Sequence, residues 1–102
     1  MTYFMGIDIS TTSAKALIID EKGTIVALGS TPQPSNHPYP LWSEQNPGDW
    51  WDGVVSAIQD ALASANLTGA DIRAIGLTGQ MHGLVMLDTA GRVLRPAILW
   101  ND

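Results

Sequence analysis

The sequence predicts an α/β fold in which an antiparallel meander of three strands, a helix and further strands build a mixed sheet. Three observations carry this prediction. Three short apolar runs, separated by turn-forming residues, open the chain. A longer segment with apolar residues on one side follows, and three more apolar runs come after it. This order is typical of an α/β layer architecture.

The meander is predicted from apolar runs that alternate with turn residues. Residues 3–9, 14–20 and 24–30 are the three runs. A polar cluster at residues 10–13 separates the first two, and Asp20 to Gly23 separates the second and third. Glycine at position 23 suits a turn residue that needs a positive φ. Short turns of this kind join antiparallel neighbours.

A proline-rich loop and a helix are predicted next. Residues 31–40 contain four of the six prolines, which excludes a helix interior or a central strand. Asn46 is a suitable N-cap, Pro47 suits the first helical position and Asp49 complements the helix dipole. The helix should end near residues 66–69. Its apolar stripe, which we interpret as core, comprises Trp51, Val54, Val55, Ile58, Ala61, Leu62 and Ala65.

The last third of the chain predicts three more strands. Residues 72–78 are mostly apolar, which indicates a strand covered on both faces. Residues 84–88 and 97–100 are shorter candidates, and Asp88 to Gly91 repeats the turn chemistry of Asp20 to Gly23. Because a core strand is predicted so close to residue 102, we expect the fold to be incomplete at its C-terminus.

Composition excludes several classes of protein. The 102 residues suffice for one small domain, with a net charge of −5 and no run of Lys or Arg. A nucleic-acid partner needs a basic stripe, so none is expected. The chain has no cysteine, which excludes disulfides and thiolate metal sites. We find no signal peptide and no apolar stretch of about 18–20 residues, so we expect a cytoplasmic protein without a membrane partner.

The first candidate site is the polar hairpin, residues 8–15. Asp8 lies at a predicted strand end, and the hydroxyl residues Ser10, Thr11, Thr12 and Ser13 follow it. Backbone N–H groups and hydroxyls in such a turn can bind phosphate, and the carboxylate can hold Mg²⁺ through water. The alternative is a plain hairpin whose hydroxyls satisfy the turn backbone. No G-x-x-x-x-G-K-[ST] occurs, so this is not a P-loop.

The second candidate site is the glycine-bracketed loop, residues 79–83. Gln80 and His82 offer donors and acceptors for sugar hydroxyls, and Met81 can pack on the apolar face of a sugar. The alternative is a strained connection with a partly buried His82. A general-base role for His82 is less favoured, because no acidic residue is near it in sequence. For the tryptophans near residues 42–51, we favour core packing over a sugar platform.

Four segments, in this order, resemble the FGGY carbohydrate kinases and, within that family, the xylulokinases. They are G-I-D-I-S-T-T-S (residues 6–13), P-L-W-S-E-Q-N-P-G-D-W-W (40–51), G-Q-M-H-G (79–83) and R-P-A-I-L-W-N-D (95–102). The resemblance implies an actin-like ATPase, or ribonuclease H-like, fold. It further implies that residues 1–102 are the N-terminal part of the first kinase domain, with the second domain absent from this chain.

The resemblance also implies a reaction and its site. The full-length enzyme would phosphorylate D-xylulose with ATP and Mg²⁺ to give D-xylulose 5-phosphate, and could form a homodimer. A catalytic base beyond residue 102 would leave this segment inactive alone. The alternatives are a kinase for another ketose or polyol, and a non-catalytic α/β binding domain. By motif match, Asp8, Thr11, Thr12, Ser13 and Lys15 serve phosphate and Mg²⁺, and Gln80, Met81, His82, Asn101 and Asp102 serve the sugar.

Overall fold

The computed structural model describes residues 1–101. Its main sheet has four strands in the order β3-β2-β1-β5. Strands β1, β2 and β3 pair antiparallel, and β5 pairs parallel to β1, so the predicted meander and mixed sheet are confirmed. The elements are β1 (Tyr3–Ile9), β2 (Ser13–Asp20), β3 (Ile25–Pro32), β4 (Glu44–Gln45), helix α1 (Pro47–Ala65), a 3₁₀ turn (Gly69–Asp71), β5 (Ile72–Gly79) and β6 (Ala97–Ile98).

The strand register brings the segments that follow β1 and β5 to the same end of the sheet, the edge formed by the carboxyl ends of these two strands. Ile9, the last residue of β1, lies beside Gly79, the last residue of β5. Because the two strands run parallel, the hairpin after β1 and the loop after β5 both start at this edge. Strands β4 and β6 pair with each other in a separate two-stranded sheet.

Helix α1 packs closely on one face of the sheet. The core consists of Met5, Ile7, Ala16, Ile18 and Ala27 from the strands, with Ala57 and Ala61 from the helix. Small residues set the short distance between the helix and β3. A Cβ added at Gly29 would overlap the carbonyl oxygen of Ala57, so this position requires glycine.

Both ends of α1 follow the predicted signals. The Asn46 side chain accepts a 3.0 Å hydrogen bond from the Gly48 N–H, and Pro47 opens the helix. The C-cap residue, Asn66, has a left-handed φ of 56°. Asparagine tolerates this conformation better than most residues, which explains why the helix stops there. Within residues 1–101, no helix has the length and apolar content to cross a membrane.

The prediction that Trp51 lies in the core is wrong. Its side chain is 72 % exposed. The helix face against the sheet is made of Gly53, Ala57 and Ala61, which allow the close approach described above. With about 3.6 residues per turn, Trp51 projects roughly 120° away from Ala57 around the helix axis, so it lies outside the face that packs on the sheet.

The later strands also differ from the prediction. Strand β5 is an edge strand, and Ile75 and Leu77 on it are exposed, because α1 covers mainly β2 and β3. Residues 84–88 form isolated bridges at Leu84 and Leu87 in place of a strand. The turn at Asp88 is confirmed, with a φ of 82° at Gly91 that matches the 80° at Gly23.

Candidate functional site

The structure places Asp8 on the open face of the sheet, opposite α1. In the strand register Asp8 lies between Lys15 of β2 and Thr78 of β5. All three line a cavity of about 400 Å³, together with Leu17 and Leu28. The predicted pair Asp8 and Lys15 is therefore brought together, and Thr78 is a neighbour that sequence reasoning missed.

The hairpin turn is closed by the Ser10 side chain. Its hydroxyl donates to the Ser13 carbonyl at 3.0 Å and accepts from the Ser13 N–H at 3.2 Å. Ser10 thus satisfies the turn backbone, as the plain-hairpin alternative expects. Thr12 and Lys15, farther along the hairpin, are exposed and accessible to a ligand.

The loop after β5 forms the second part of the site. The Gln80 N–H donates to the carbonyl of Ile9 at 2.8 Å, which extends the parallel pairing by one bond. His82 is exposed and has a left-handed φ of 57°. Gln80 and His82 line a cavity of about 250 Å³ with Trp50. Met81 is 71 % exposed. The partly buried histidine of the alternative interpretation is not observed.

A closed ring of hydrogen bonds joins the hairpin to this loop. The Thr11 hydroxyl donates to Oε1 of Gln80 at 3.1 Å. Nε2 of Gln80 donates to Oε1 of Gln45 at 2.9 Å, and Nε2 of Gln45 donates to the Thr11 carbonyl at 2.6 Å. The Thr11 side chain is therefore directed at the loop and bonded there. The two candidate sites, separated by about seventy residues in sequence, form one hydrogen-bonded unit.

Three members of this network were not predicted as site residues. Gln45 is 1 % exposed and lies at the centre. Trp50 donates its indole N–H to Gln45 at 2.8 Å, and Trp100 donates its own to the Thr11 hydroxyl at 3.0 Å. The sequence signal was present in the W-S-E-Q segment, where a polar trio follows a tryptophan. Its burial depends on β4 pairing with β6, a contact between residues far apart in the chain.

Two further features concern Glu44, which was not predicted as a site residue, and Asn101, which was. Glu44, which is buried, forms an ion pair with the partly exposed Arg95, and this pair ties β4 to the segment before β6. Asn101 lines a separate cavity of about 450 Å³ with Tyr39 and Trp42 of the proline-rich loop. Asp102, the other predicted sugar contact in this segment, is outside the described residues.

The single carboxylate of Asp8 suits a metal ion whose other ligands are water molecules and substrate phosphates. Among residues 1–101 no three His, Asp or Glu side chains gather in a group able to hold a metal ion. Mg²⁺ commonly binds through one or two carboxylates, several waters and substrate phosphates. A single exposed carboxylate beside Lys15 and the polar hairpin suits such a metal–nucleotide complex.

The chain belongs to the FGGY family of carbohydrate kinases: the model of the family's N-terminal domain matches residues 3–102. The xylulose kinase of Escherichia coli (strain K12) is 42% identical over 99 residues, which cover 97% of this chain and 20% of that protein. The glycerol kinase of Acinetobacter baylyi is 41% identical over 103 residues, 100% of this chain and 21% of that protein.

The comparison with solved structures agrees with this family assignment. The crystal structure of a xyloylose kinase from Brucella ovis matches with a TM-score of 0.93 and 42% identity, over 98% of this chain and 21% of that one. The predicted fold, a mixed α/β domain of the actin-like ATPase type found in FGGY sugar kinases, is confirmed. The chain spans about a fifth of the length of these relatives.

Proposed function

We propose that residues 1–102 are the N-terminal part of the first domain of an ATP-dependent sugar kinase that converts D-xylulose to D-xylulose 5-phosphate. One observation carries the proposal: the hairpin and the glycine-bracketed loop leave the same sheet edge and are hydrogen-bonded to each other through Gln45. Phosphoryl transfer depends on holding the phosphate donor next to the acceptor hydroxyl. Two polar segments fixed side by side are suited to that task.

The hairpin side of the site is proposed to bind the phosphates of ATP. The Lys15 ammonium would lie near phosphate oxygens, and the Thr12 and Ser13 hydroxyls would donate to them. Asp8 would accept hydrogen bonds from waters of the bound metal. Mg²⁺, when bound with ATP, neutralises phosphate charge. Thr11 would act through the loop, because its side chain is bonded to Gln80.

The loop side is proposed to bind the sugar. His82 would exchange hydrogen bonds with sugar hydroxyls, and Met81 would pack on the sugar's carbon skeleton. Gln80 would hold the loop in place, since both ends of its amide are bonded within the protein. We expect Asn101 and Asp102 to complete this side, and a base from a later part of the full-length protein to take the proton of the attacking hydroxyl.

The choice of D-xylulose rests on the names of the relatives. The Escherichia coli relative is a xylulose kinase, and the Acinetobacter baylyi relative, at nearly the same identity, is a glycerol kinase. A polyol kinase is therefore the second candidate. Either enzyme would use ATP and so would be expected in the cytoplasm.

A substrate panel on the full-length protein tests the proposal. ADP release is measured with Mg²⁺–ATP and D-xylulose, other ketoses, glycerol or no acceptor. We expect the highest kcat/KM for D-xylulose. Faster turnover of glycerol would replace the substrate assignment with the polyol alternative. Absence of acceptor-dependent ADP release with every compound would support the non-catalytic alternative and contradict a kinase.

A further inference from the structure

Gln45 is a buried amide whose polar atoms are all used. Its Nε2 donates to the Thr11 carbonyl at 2.6 Å and to the Ser35 hydroxyl at 3.1 Å. Its Oε1 accepts from Trp50 at 2.8 Å and from Gln80 at 2.9 Å. The side chain is 1 % exposed, so no ligand can reach it directly in this structure. Whatever it contributes beyond stability acts through these four bonds.

The two ends of the amide face different parts of the site. The nitrogen end holds the hairpin through Thr11, and the oxygen end holds the loop through Gln80. The oxygen end also holds Trp50, which lines the same cavity as His82. A shift of the hairpin would therefore change the position of the amide, which in turn holds Gln80 and Trp50 in the wall of the cavity beside His82, here called the proposed sugar pocket.

We propose that Gln45 is a positioning residue that couples the nucleotide and sugar sites, so that each ligand raises the affinity for the other. The inference rests on the proposed function. Phosphate contacts that order the hairpin fix the Gln45 amide, which fixes Gln80 and lowers the ordering cost of sugar binding. Linkage requires the reverse effect to be of the same size.

Substitutions can cut the two ends of the amide separately. Gln45→Glu keeps an acceptor for Trp50 and Gln80 but replaces the donor to the Thr11 carbonyl with a repulsive oxygen. Gln45→Met keeps a similar volume and removes all four bonds. Gln80→Glu keeps the acceptor for the Thr11 hydroxyl and loses the donor to Gln45. Gln59→Glu, at an exposed position of α1, makes the same chemical change outside the network.

The experiment measures the coupling in the full-length enzyme. Isothermal titration gives the Kd of a non-hydrolysable ATP analogue with Mg²⁺, in the absence of D-xylulose and in its saturating presence. The ratio of the two values is the coupling factor. We expect a factor of about 5 or more for the wild-type protein and the Gln59→Glu control. We expect a factor closer to 1 for Gln45→Glu, Gln45→Met and Gln80→Glu, in which the direct bond between the Thr11 hydroxyl and residue 80 is the connection that remains.

A purely structural role for Gln45 predicts a different result. It would lower the melting temperature and both affinities together and would leave their ratio unchanged. An unchanged coupling factor in these variants, or a wild-type factor of about 1, overturns the inference. If the buried Gln45 variants do not fold, Gln80→Glu, in the partly exposed loop, still decides the question. The proposed function is judged separately, by wild-type turnover of D-xylulose.

Discussion

The side-chain nitrogen of Gln45 donates a 2.6 Å hydrogen bond to the main-chain carbonyl of Thr11, 34 residues earlier in the chain. The acceptor lies in the turn of the first hairpin, and the donor lies in a two-residue strand just before α1. This bond connects the start of the sheet to the segment that leads into its covering helix. The same amide accepts a hydrogen bond from Gln80. One buried side chain therefore connects three segments that are far apart in the sequence.

The close approach of α1 to β3 predicts a steric effect at Gly29. Gly29→Ala should lower the free energy of unfolding by about 1–3 kcal/mol or more, because the added methyl group overlaps the Ala57 carbonyl. Urea denaturation followed by tryptophan fluorescence measures the change. Gly69→Ala is the matched control, because a Cβ there meets no atom within 4 Å. Equal midpoints for the two variants would contradict the packing described.

The N-cap of α1 predicts a smaller effect. Asn46→Ala removes the acceptor of the 3.0 Å bond from the Gly48 N–H and should cost roughly 0.5–2 kcal/mol of stability. Asn46→Asp keeps an acceptor and should retain most of the stability that the capping bond contributes. The same urea titration compares the two. If alanine proved as stable as aspartate, the capping bond would make no net contribution.

The proposed sugar pocket predicts a selective change in KM. His82→Ala should raise KM for D-xylulose about tenfold, through the loss of one or two hydrogen bonds, with a smaller change in KM for ATP. Steady-state kinetics of the full-length enzyme, with each substrate varied in turn, separates the two. Gln59→Ala is the control, since Gln59 is exposed on α1 and lies outside both proposed sites. An increase confined to KM for ATP would contradict the assignment of His82 to the sugar side and would place it on the phosphate side.

The isolated chain should not turn over substrate. Residues 1–102 carry the proposed phosphate and sugar contacts, but the proposed base belongs to a later part of the full-length protein. Xylulose-dependent ADP release by the purified 102-residue chain, above a no-enzyme blank, would show that the required groups are already present in it. The full-length enzyme assayed in parallel provides the positive control.

Local signals allowed the meander and the helix ends to be predicted. Gly23, Asn46 and Pro47 each specify a backbone conformation within a few residues, so no distant contact is needed to predict it. Trp51 was misassigned because its burial depends on which side of the helix faces the sheet. That orientation is fixed by the contact of Ala57 with Gly29, and these two residues belong to different elements.

The site was predicted in two halves but not as a unit. Asp8 and His82 were singled out because their residue types and positions indicate chemistry, and Lys15 was added by the family resemblance; the roles of all three stay predictions. The burial of Gln45, and the indole donors of Trp50 and Trp100, arise from long-range pairing that no local pattern records. Exposed Ile75 and Leu77 on the edge strand were likewise unpredictable, because an apolar run reads the same whether or not a helix covers it.

The most direct test of the account is the rate of D-xylulose phosphorylation after substitution of Asp8 in the full-length enzyme. Asp8→Asn removes the proposed metal–phosphate carboxylate with little change in volume, and Asp60→Asn makes the same change at an exposed position of α1. We predict a kcat lower by about 10²-fold or more for Asp8→Asn and a wild-type kcat for Asp60→Asn. A wild-type kcat for Asp8→Asn would contradict the assignment of the hairpin as the phosphate side of a sugar-kinase site.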